Sequence, residues 1–146
     1  MSVELVFDAP LAVATWVASK IDMPVDWVSC GAFQGVGMAR RGKLCGGLIF
    51  HNMQANRGDV WLSAAGDGAF VDRGVIDFIY WNAFKNLACA HLSCRTAATN
   101  NRAIRILERL GFKKEGVQRK AWDGETDAIL LGLTPEDAYS CALEDI

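Results

Sequence analysis

Apolar residues recur along this chain at two different spacings, which predict segments of helix and segments of strand. Residues 11–21 carry apolar side chains three and four positions apart, the spacing of an amphipathic helix. Pro24 ends this helix because a proline disfavours helical conformation in the residue before it. Two short apolar runs, residues 32–39 and 44–51, flank a charged turn that contains Gly42 and predict a β-hairpin.

The middle of the chain begins with a strand followed by a helix. A polar loop over residues 52–58 precedes a third apolar strand over residues 59–65. Asp72 is the predicted N-cap of the helix, because its carboxylate can accept from the first free backbone N–H groups. The helix continues to Phe84 with one apolar face.

A second strand–helix unit follows. The strand is predicted over residues 91–99 and the helix over residues 102–110. Asn100 is the expected N-cap, although Asn101 could serve in its place. Gly111 ends the helix because it can adopt the left-handed conformation that helix ends require.

The last elements complete a mixed αβ pattern. Strands are predicted over residues 117–122 and 128–133, with a turn at Asp123 and Gly124 between them. Strand–helix–strand units favour parallel neighbours and hairpins favour antiparallel ones, so the pattern indicates an α+β fold in one domain over residues 1–146. It predicts a central mixed sheet with helices on its faces, and other folds with this order of elements stay open.

Composition excludes several classes of protein. The formal net charge is −2 and charges of both signs are mixed along the chain, which disfavours a nucleic-acid partner. No apolar run is long enough to cross a membrane, and the N-terminus lacks the pattern of a secretory signal. The cysteines are odd in number and contain no C-x-x-C pair, which argues against a zinc site or a disulfide framework and favours the cytoplasm: Cys30, Cys45, Cys89, Cys94 and Cys141.

One stretch resembles a known family. Residues 100–112, from Asn100 to the Leu-Gly-Phe turn, are followed by Glu115 and Gly116 and are similar to the C-terminal half of GNAT acyltransferases. Residues 50–84 most resemble compact members found in phages and prophages. The resemblance implies a sheet with two splayed parallel strands and acetyl-coenzyme A as co-substrate without a metal. It also implies an acceptor with an amine, either a small molecule or a protein, and leaves a homodimer open.

The same resemblance places the donor. The strand ending at Ala65 and the strand over residues 91–99 would be the two arms of the opening, and the coenzyme's amides would pair with their free backbone groups. The diphosphate would lie at the start of the following helix, close to the residues expected to bind it: Arg73, Gly74, Val75 and, from the next helix, Asn100. A plain helix start and a plain N-cap explain the same residues without any ligand.

Two departures from the family pattern leave a second interpretation open. Only Gly74 remains of the glycines expected at the helix entry, and Asp72 places a carboxylate beside the expected phosphates. Leu107 stands where many members have a tyrosine that protonates the leaving thiolate. The chain is therefore expected to be either an N-acetyltransferase that transfers directly within a ternary complex, or a weak or inactive module that binds coenzyme A or a protein.

Three residues are candidates for the chemistry. His51 ends a strand beside the expected substrate cleft and can accept an amine proton near neutral pH. Asp59 and Ser63 lie on the strand where many family members keep a carboxylate or a hydroxyl. Each of the three can equally be a hydrogen-bonding or packing residue. We expect Tyr80, His91 and the tryptophans to lie in the core, although the tryptophans could line a substrate pocket instead.

Overall fold

The computed structural model describes residues 3–21, 31–54, 58–67 and 71–139, and Pro24, Trp27, Gly68, Cys30 and Cys141 lie outside these ranges. Seven strands form one sheet in the order β1-β2-β3-β4-β5-β7-β6. The strands are β1 Glu4–Val6, β2 Gln34–Arg40, β3 Lys43–Gln54, β4 Asp59–Gly66, β5 His91–Ala97, β6 Lys113–Gln118 and β7 Ala128–Leu133. The helices are α1 Pro10–Lys20, α2 Arg73–Trp81, which continues as a π-helix over Asn82–Asn86, and α3 Asn101–Arg109.

Helix α1 packs on one face of the sheet. Val13 and Val17 are fully buried against Ile49 of β3. The helix lies close to the strand because Gly47 has no side chain, since a Cβ there would meet the Val17 Cγ2 at 2.5 Å. Glycine at this position therefore sets the distance between helix and sheet.

The main core lies on the opposite face, beneath α2 and α3. Val75 and Ile79 of α2 join the alternate β-strand residues Phe50 and Leu62 in this core. The Tyr80 hydroxyl donates to the backbone carbonyl of Leu110 at 2.6 Å and connects α2 with the end of α3. This confirms that Tyr80 is a core residue with a satisfied polar end, and that helices cover both faces of the sheet.

Most of the predicted elements are confirmed. β3 extends to Gln54, into the loop predicted over residues 52–58, because Gln54 still pairs with Asp59 of β4. Two further differences lie at the sheet edges. β1 was missed because only three residues, Glu4–Val6, pair with β2. The strand predicted over residues 117–122 is wrong in its position: β6 begins at Lys113, and residues 119–126 form turns and bends. β6 is an edge strand exposed along nearly all its length, so its sequence lacks the apolar alternation that marks a strand.

The parallel pair β4–β5 is joined at one end only. The strands pair at Asp59 with His91, Val60 with Leu92, and Trp61 with Ser93. Beyond that ladder β4 continues to Gly66 on β3, and β5 continues to Ala97 on β7, without pairing with each other. A cleft therefore opens between them, with a narrow end at Trp61 and Ser93 and a wide end at Gly66 and Ala97. This confirms the predicted splay.

None of the helices in the described ranges has the length and apolar character needed to cross a membrane.

Candidate active site

The start of a helix follows each arm of the cleft at its wide end. β4 ends at Gly66 and leads to α2, which begins at Arg73, and β5 ends at Ala97 and leads to α3, which begins at Asn101. The first N–H groups of a helix have no partner within the helix and carry the positive end of its dipole. The wide end therefore combines free strand edges with two helix starts, an arrangement that can bind an extended ligand with an anionic group.

Asp72 caps α2 and already uses some of its donors. Its Oδ1 accepts from the Val75 N–H at 3.0 Å, and its Oδ2 accepts from the Val3 N–H at 2.9 Å. Burial acts to raise the pKa of Asp72, but the amides of Val3, Val75 and Gly74 and the charge of Arg40 lower it overall. The Asp72 carboxylate is thus a stable anion at the helix start, and the Val75 amide expected to face a phosphate has an acceptor within the protein.

Arg73 and Gly74 form the exposed first turn of α2. The Arg73 Nε lies 3.8 Å from the Asp77 Oδ1, an exposed pair one turn apart on the helix. Such surface pairs are weak, so the guanidinium can exchange this partner for a phosphate. A Cβ on Gly74 would meet the Asp72 Oδ1 at 3.4 Å, so the position is open on its outer side.

Asn100 caps α3 as expected. Its Oδ1 accepts from the Ala103 N–H at 3.1 Å, and the residue is exposed. The cap uses the oxygen of the side-chain amide, while the NH₂ group has two donor hydrogens of its own. The capping interpretation is confirmed, and a contact between Asn100 and a ligand stays a prediction.

His51 and Ser63 meet beside the narrow end. The His51 Nε2 lies 2.9 Å from the Ser63 Oγ, and His51 faces Trp61 in the register of β3 and β4. Burial lowers the pKa of His51, against a smaller raising effect of the hydrogen bond with Asn52. The imidazole is therefore neutral near pH 7 and can accept a proton.

Asp59 belongs to a different group of side chains on the same face of the sheet. Its Oδ1 lies 2.8 Å from the His91 Nδ1 and accepts from the Ser93 hydroxyl at 2.9 Å. The His91 Nε2 lies 3.0 Å from the Glu115 Oε1 of β6. We refer to Asp59, His91, Ser93 and Glu115 as the His91 cluster.

The His91 cluster was missed in the sequence. The expectation that His91 is a core residue is wrong, because both of its ring nitrogens face carboxylates and its side chain is 31% exposed. The spacing of His91 and Ser93 shows that they share a face of β5. Neither Asp59 nor Glu115 could be assigned to that face without the strand order and register.

Leu107 and Cys94 do not supply a proton to the reaction. Leu107 is partly buried against the main core and has no ionisable group. Cys94 follows Ser93, the last residue of β5 that pairs with β4, and burial raises the pKa of its thiol to about 12, so the thiol keeps its proton. Cys45, Cys89 and Cys94 are free thiols.

Most of the described tryptophans lie outside the core. Trp81 is 51% exposed, and Trp61 and Trp122 are partly buried, so the expectation of core tryptophans is wrong for these three. Trp16 is partly buried and packs against the core beneath α1. Trp81 instead borders a cavity of about 550 Å³ with Phe7, Phe78 and Asn82. No residue of β4 or β5 lines this cavity, which therefore is not the cleft.

Several solved structures have a fold similar to that of this chain. The chain matches a ribosomal-protein-S18-alanine N-acetyltransferase from Escherichia coli with a TM-score of 0.69 and 20% identity, covering 91% of this chain and 92% of that one. It matches the spermidine/spermine N-acetyltransferase SpeG from Vibrio cholerae with a TM-score of 0.73 and 12% identity, covering 99% and 98%. A protein from T. thermophilus described as an acetyltransferase gives a TM-score of 0.76 at 18% identity, covering 98% and 91%.

These identities are low, and the likeness is one of fold. No protein-family model and no curated protein matches the sequence. The chain thus has the mixed-sheet fold of GNAT acetyltransferases over nearly its whole length.

Proposed function

We propose that this chain is a GNAT-type N-acetyltransferase that moves an acetyl group from acetyl-coenzyme A to a primary amine by direct transfer in a ternary complex. The observation that carries the proposal is the cleft between β4 and β5, which pair at three positions and then separate. The shared fold with solved acetyltransferases supports the same activity. Three further points stay predictions: a likeness to phage-type members, a single domain over residues 1–146, and a location in the cytoplasm.

The donor fits the cleft for a physical reason. Strand residues direct backbone N–H and C=O groups alternately to the two sides, so β4 between Trp61 and Ala65 has groups that face the cleft. Such groups need partners, and the amides of a pantetheine arm can supply them as an added strand would. Arg73, Gly74 and Asn100 at the wide end are then placed to meet the diphosphate.

The chemistry needs a proton acceptor and a polarised carbonyl. The amine nitrogen attacks the thioester carbon, the C–S bond breaks, and the amine proton passes to a base. His51 is proposed as that base, directly or through one water, because it is neutral and its Nε2 is hydrogen-bonded with the Ser63 hydroxyl. Backbone N–H groups of β4 would stabilise the oxyanion, and the leaving thiolate takes its proton from water.

The acceptor is proposed by class alone. One similar structure is named for an alanine of a ribosomal protein and another for spermidine and spermine, and both acceptors present an amine. An amine on a small molecule or on a protein is therefore the proposed acceptor. We propose no nucleic-acid or membrane partner, and a homodimer stays a prediction.

A second function is favoured by the wide end itself. The Asp72 carboxylate occupies donors of α2 where a phosphate would bind, and Leu107 cannot protonate a thiolate. A module that binds coenzyme A or a protein without transfer would keep the cleft and tolerate both features. Fold alone does not decide between the two.

Thiol release and calorimetry together test the proposal. The protein is incubated with acetyl-coenzyme A and a panel of polyamines, amino acids and N-terminal peptides, and free thiol and acetylated products are measured. Transfer to at least one amine is expected. Binding of coenzyme A without any product would favour the module, and absence of binding at millimolar concentration would contradict both the transferase and a module that binds coenzyme A.

The pH dependence tests His51. Because burial lowers the pKa of His51, its imidazole becomes protonated only when the pH falls below 6.5, the ordinary pKa of histidine. The decline of kcat/KM on the acid side is therefore expected to lie below pH 6.5. His51→Gln should lower kcat by about 100-fold or more with little change in coenzyme A affinity. An unchanged kcat in this variant would remove His51 from the mechanism.

A further inference from the structure

The His91 cluster extends across four adjacent strands on one face of the sheet. His91 is on β5, Asp59 is on β4, and Glu115 is on β6, with β7 between β5 and β6. Glu115 therefore reaches over a neighbouring strand to meet the histidine. A side-chain contact across an intervening strand requires local backbone features that bring the two side chains together.

Two such features are present. The pairing of β6 with β7 shifts between Lys114 and Gly116, which places Glu115 at a β-bulge. Gly132 of β7 lies beneath its side chain, and a Cβ on Gly132 would collide with the Glu115 carboxylate. The bulge directs the Glu115 carboxylate toward His91, and Gly132 leaves the space that the carboxylate needs.

The cluster needs a charged histidine. The Nδ1 of His91 faces Asp59 and the Nε2 faces Glu115, and only the imidazolium can donate from both nitrogens. Burial acts to lower the pKa of His91, but the hydrogen bonds and charges of Asp59 and Glu115 raise it overall. The His91 imidazolium therefore keeps its proton at pH values above 6.5, the ordinary pKa of histidine.

Three charged or titratable groups near the cluster are engaged elsewhere or uncharged. Arg95, on the same face of β5, donates to the Gln118 Oε1 at 3.4 Å. Lys113 of β6 pairs with Asp137 at 3.2 Å. The Cys89 thiol has its pKa raised by burial and then by the charge of Asp59, so it stays neutral. The charge balance of the cluster is set by Asp59, His91 and Glu115.

The cluster lies where the two arms of the cleft are joined. Asp59, His91 and Ser93 are members of the three-residue ladder between β4 and β5. The Asp59 Oδ1 accepts from Ser93 and faces the His91 Nδ1, so one carboxylate oxygen of β4 binds two side chains of β5. A short parallel ladder is weakly held by its backbone alone, and these side chains add to it.

We propose that the His91 cluster is a clamp that fixes the narrow end of the cleft, with His91 as a positioning residue for donor binding. The effect on the donor rests on the proposed function, whereas the effect on the strands does not. The clamp holds β4 and β5 at the separation that the donor requires. When the imidazolium loses its proton, one of the two carboxylates loses its donor. The attraction of opposite charges between Asp59 and His91 is then lost whichever nitrogen keeps its proton, and the narrow end loosens.

The sign of the pH dependence follows from the raised pKa. The stabilisation is fully present below pH 6.5, the ordinary value for histidine, and is lost as pH rises through the higher pKa of the folded protein. Donor affinity is therefore expected to fall as pH rises through that same value.

Three variants test the clamp, with a matched control. Glu115→Gln removes one charge, Gly132→Ala displaces the Glu115 carboxylate without removing it, and His91→Asn removes the cation. Glu125→Gln is the control, because Glu125 is an exposed residue of a turn and not a member of the cluster. For each protein, two-dimensional NMR without ligand follows the His91 titration and hydrogen exchange of the Val60, Trp61 and Leu92 amides, and calorimetry gives the Kd for coenzyme A at pH 6 and pH 8.5.

In Glu115→Gln and Gly132→Ala, which keep the histidine, the pKa of His91 should fall below its value in the Glu125→Gln control. In all three the ladder amides should exchange about three- to tenfold faster at pH 6, since a partly exposed cluster contributes modestly. Their Kd at pH 6 should rise by a similar factor, toward the value of the wild type at pH 8.5.

The two proposals fail in different ways. Wild-type exchange and wild-type Kd at both pH values in all three variants would overturn the clamp. Faster ladder exchange in the variants of a protein that binds no coenzyme A would overturn the proposed function and leave the clamp in place.

Discussion

The two ends of the β4–β5 cleft are stabilised in different ways. At the wide end, Asp72 and Asn100 each accept from a backbone N–H three residues further along the chain. At the narrow end, the side chain of Asp59 contacts residues 32 and 34 positions away. The bonds of Asp72 and Asn100 cap helices and, between Asp72 and Val3, connect α2 with the residue before β1, and none of them joins β4 with β5. The side-chain contacts of the narrow end do join these two strands, so binding and rigidity are separated along one cleft.

Asp59→Ala should have the largest effect, because it removes the shared acceptor of the narrow end. The His91 imidazolium and the Ser93 hydroxyl would both lose a partner in a half-buried site. We expect a loss of about 1–3 kcal/mol in the free energy of unfolding. Urea denaturation measures it, with Glu125→Ala at an exposed position as the comparison.

Less than about 0.5 kcal/mol lost in Asp59→Ala would mean that the narrow end is held by its backbone ladder alone. The contrast between the two ends would then disappear.

Gly74→Glu should affect ligand binding and leave stability nearly unchanged. A second carboxylate at the start of α2 repels a diphosphate, so the Kd for coenzyme A should rise about tenfold, which corresponds to about 1.4 kcal/mol. Asn100→Ala should also weaken binding, and in addition lower stability by about 1 kcal/mol because it removes a cap. Calorimetry with both variants and with Gly74→Ala as the steric control checks this; unchanged Kd in both would contradict the proposed donor site.

Asp72→Asn should give a smaller effect of opposite sign. Asparagine keeps the cap on Val75, but its side-chain NH₂ group cannot accept from the Val3 N–H, so the free energy of unfolding should fall by about 1 kcal/mol. Loss of the negative charge beside the diphosphate should lower the Kd for coenzyme A by about two- to fivefold. Weaker binding in this variant would show that Asp72 assists the donor, and the phosphate would then have to lie elsewhere.

The sequence was informative where structure is determined locally. The caps Asp72 and Asn100, the hairpin of β2 and β3, and the splayed arms could be predicted from spacing, capping residues and a family resemblance. β6 was misplaced because an exposed edge strand has no apolar alternation.

The His91 cluster could not be predicted for a different reason. His91 and Glu115 are 24 positions apart and meet only because of the strand order β5-β7-β6, a bulge and a glycine on the intervening strand. The strand order, the position of the bulge and the residue that lies beneath Glu115 all depend on how the strands pair, which local patterns do not determine.

The most direct test of the cleft as the donor site is an NMR titration of the ligand-free protein with coenzyme A, followed on assigned backbone amides. We expect the largest shifts on residues 62–66 and 94–97 of the two arms and on the starts of α2 and α3. Shifts confined to the cavity beside Trp81, or no shifts at millimolar coenzyme A, would contradict this placement of the donor.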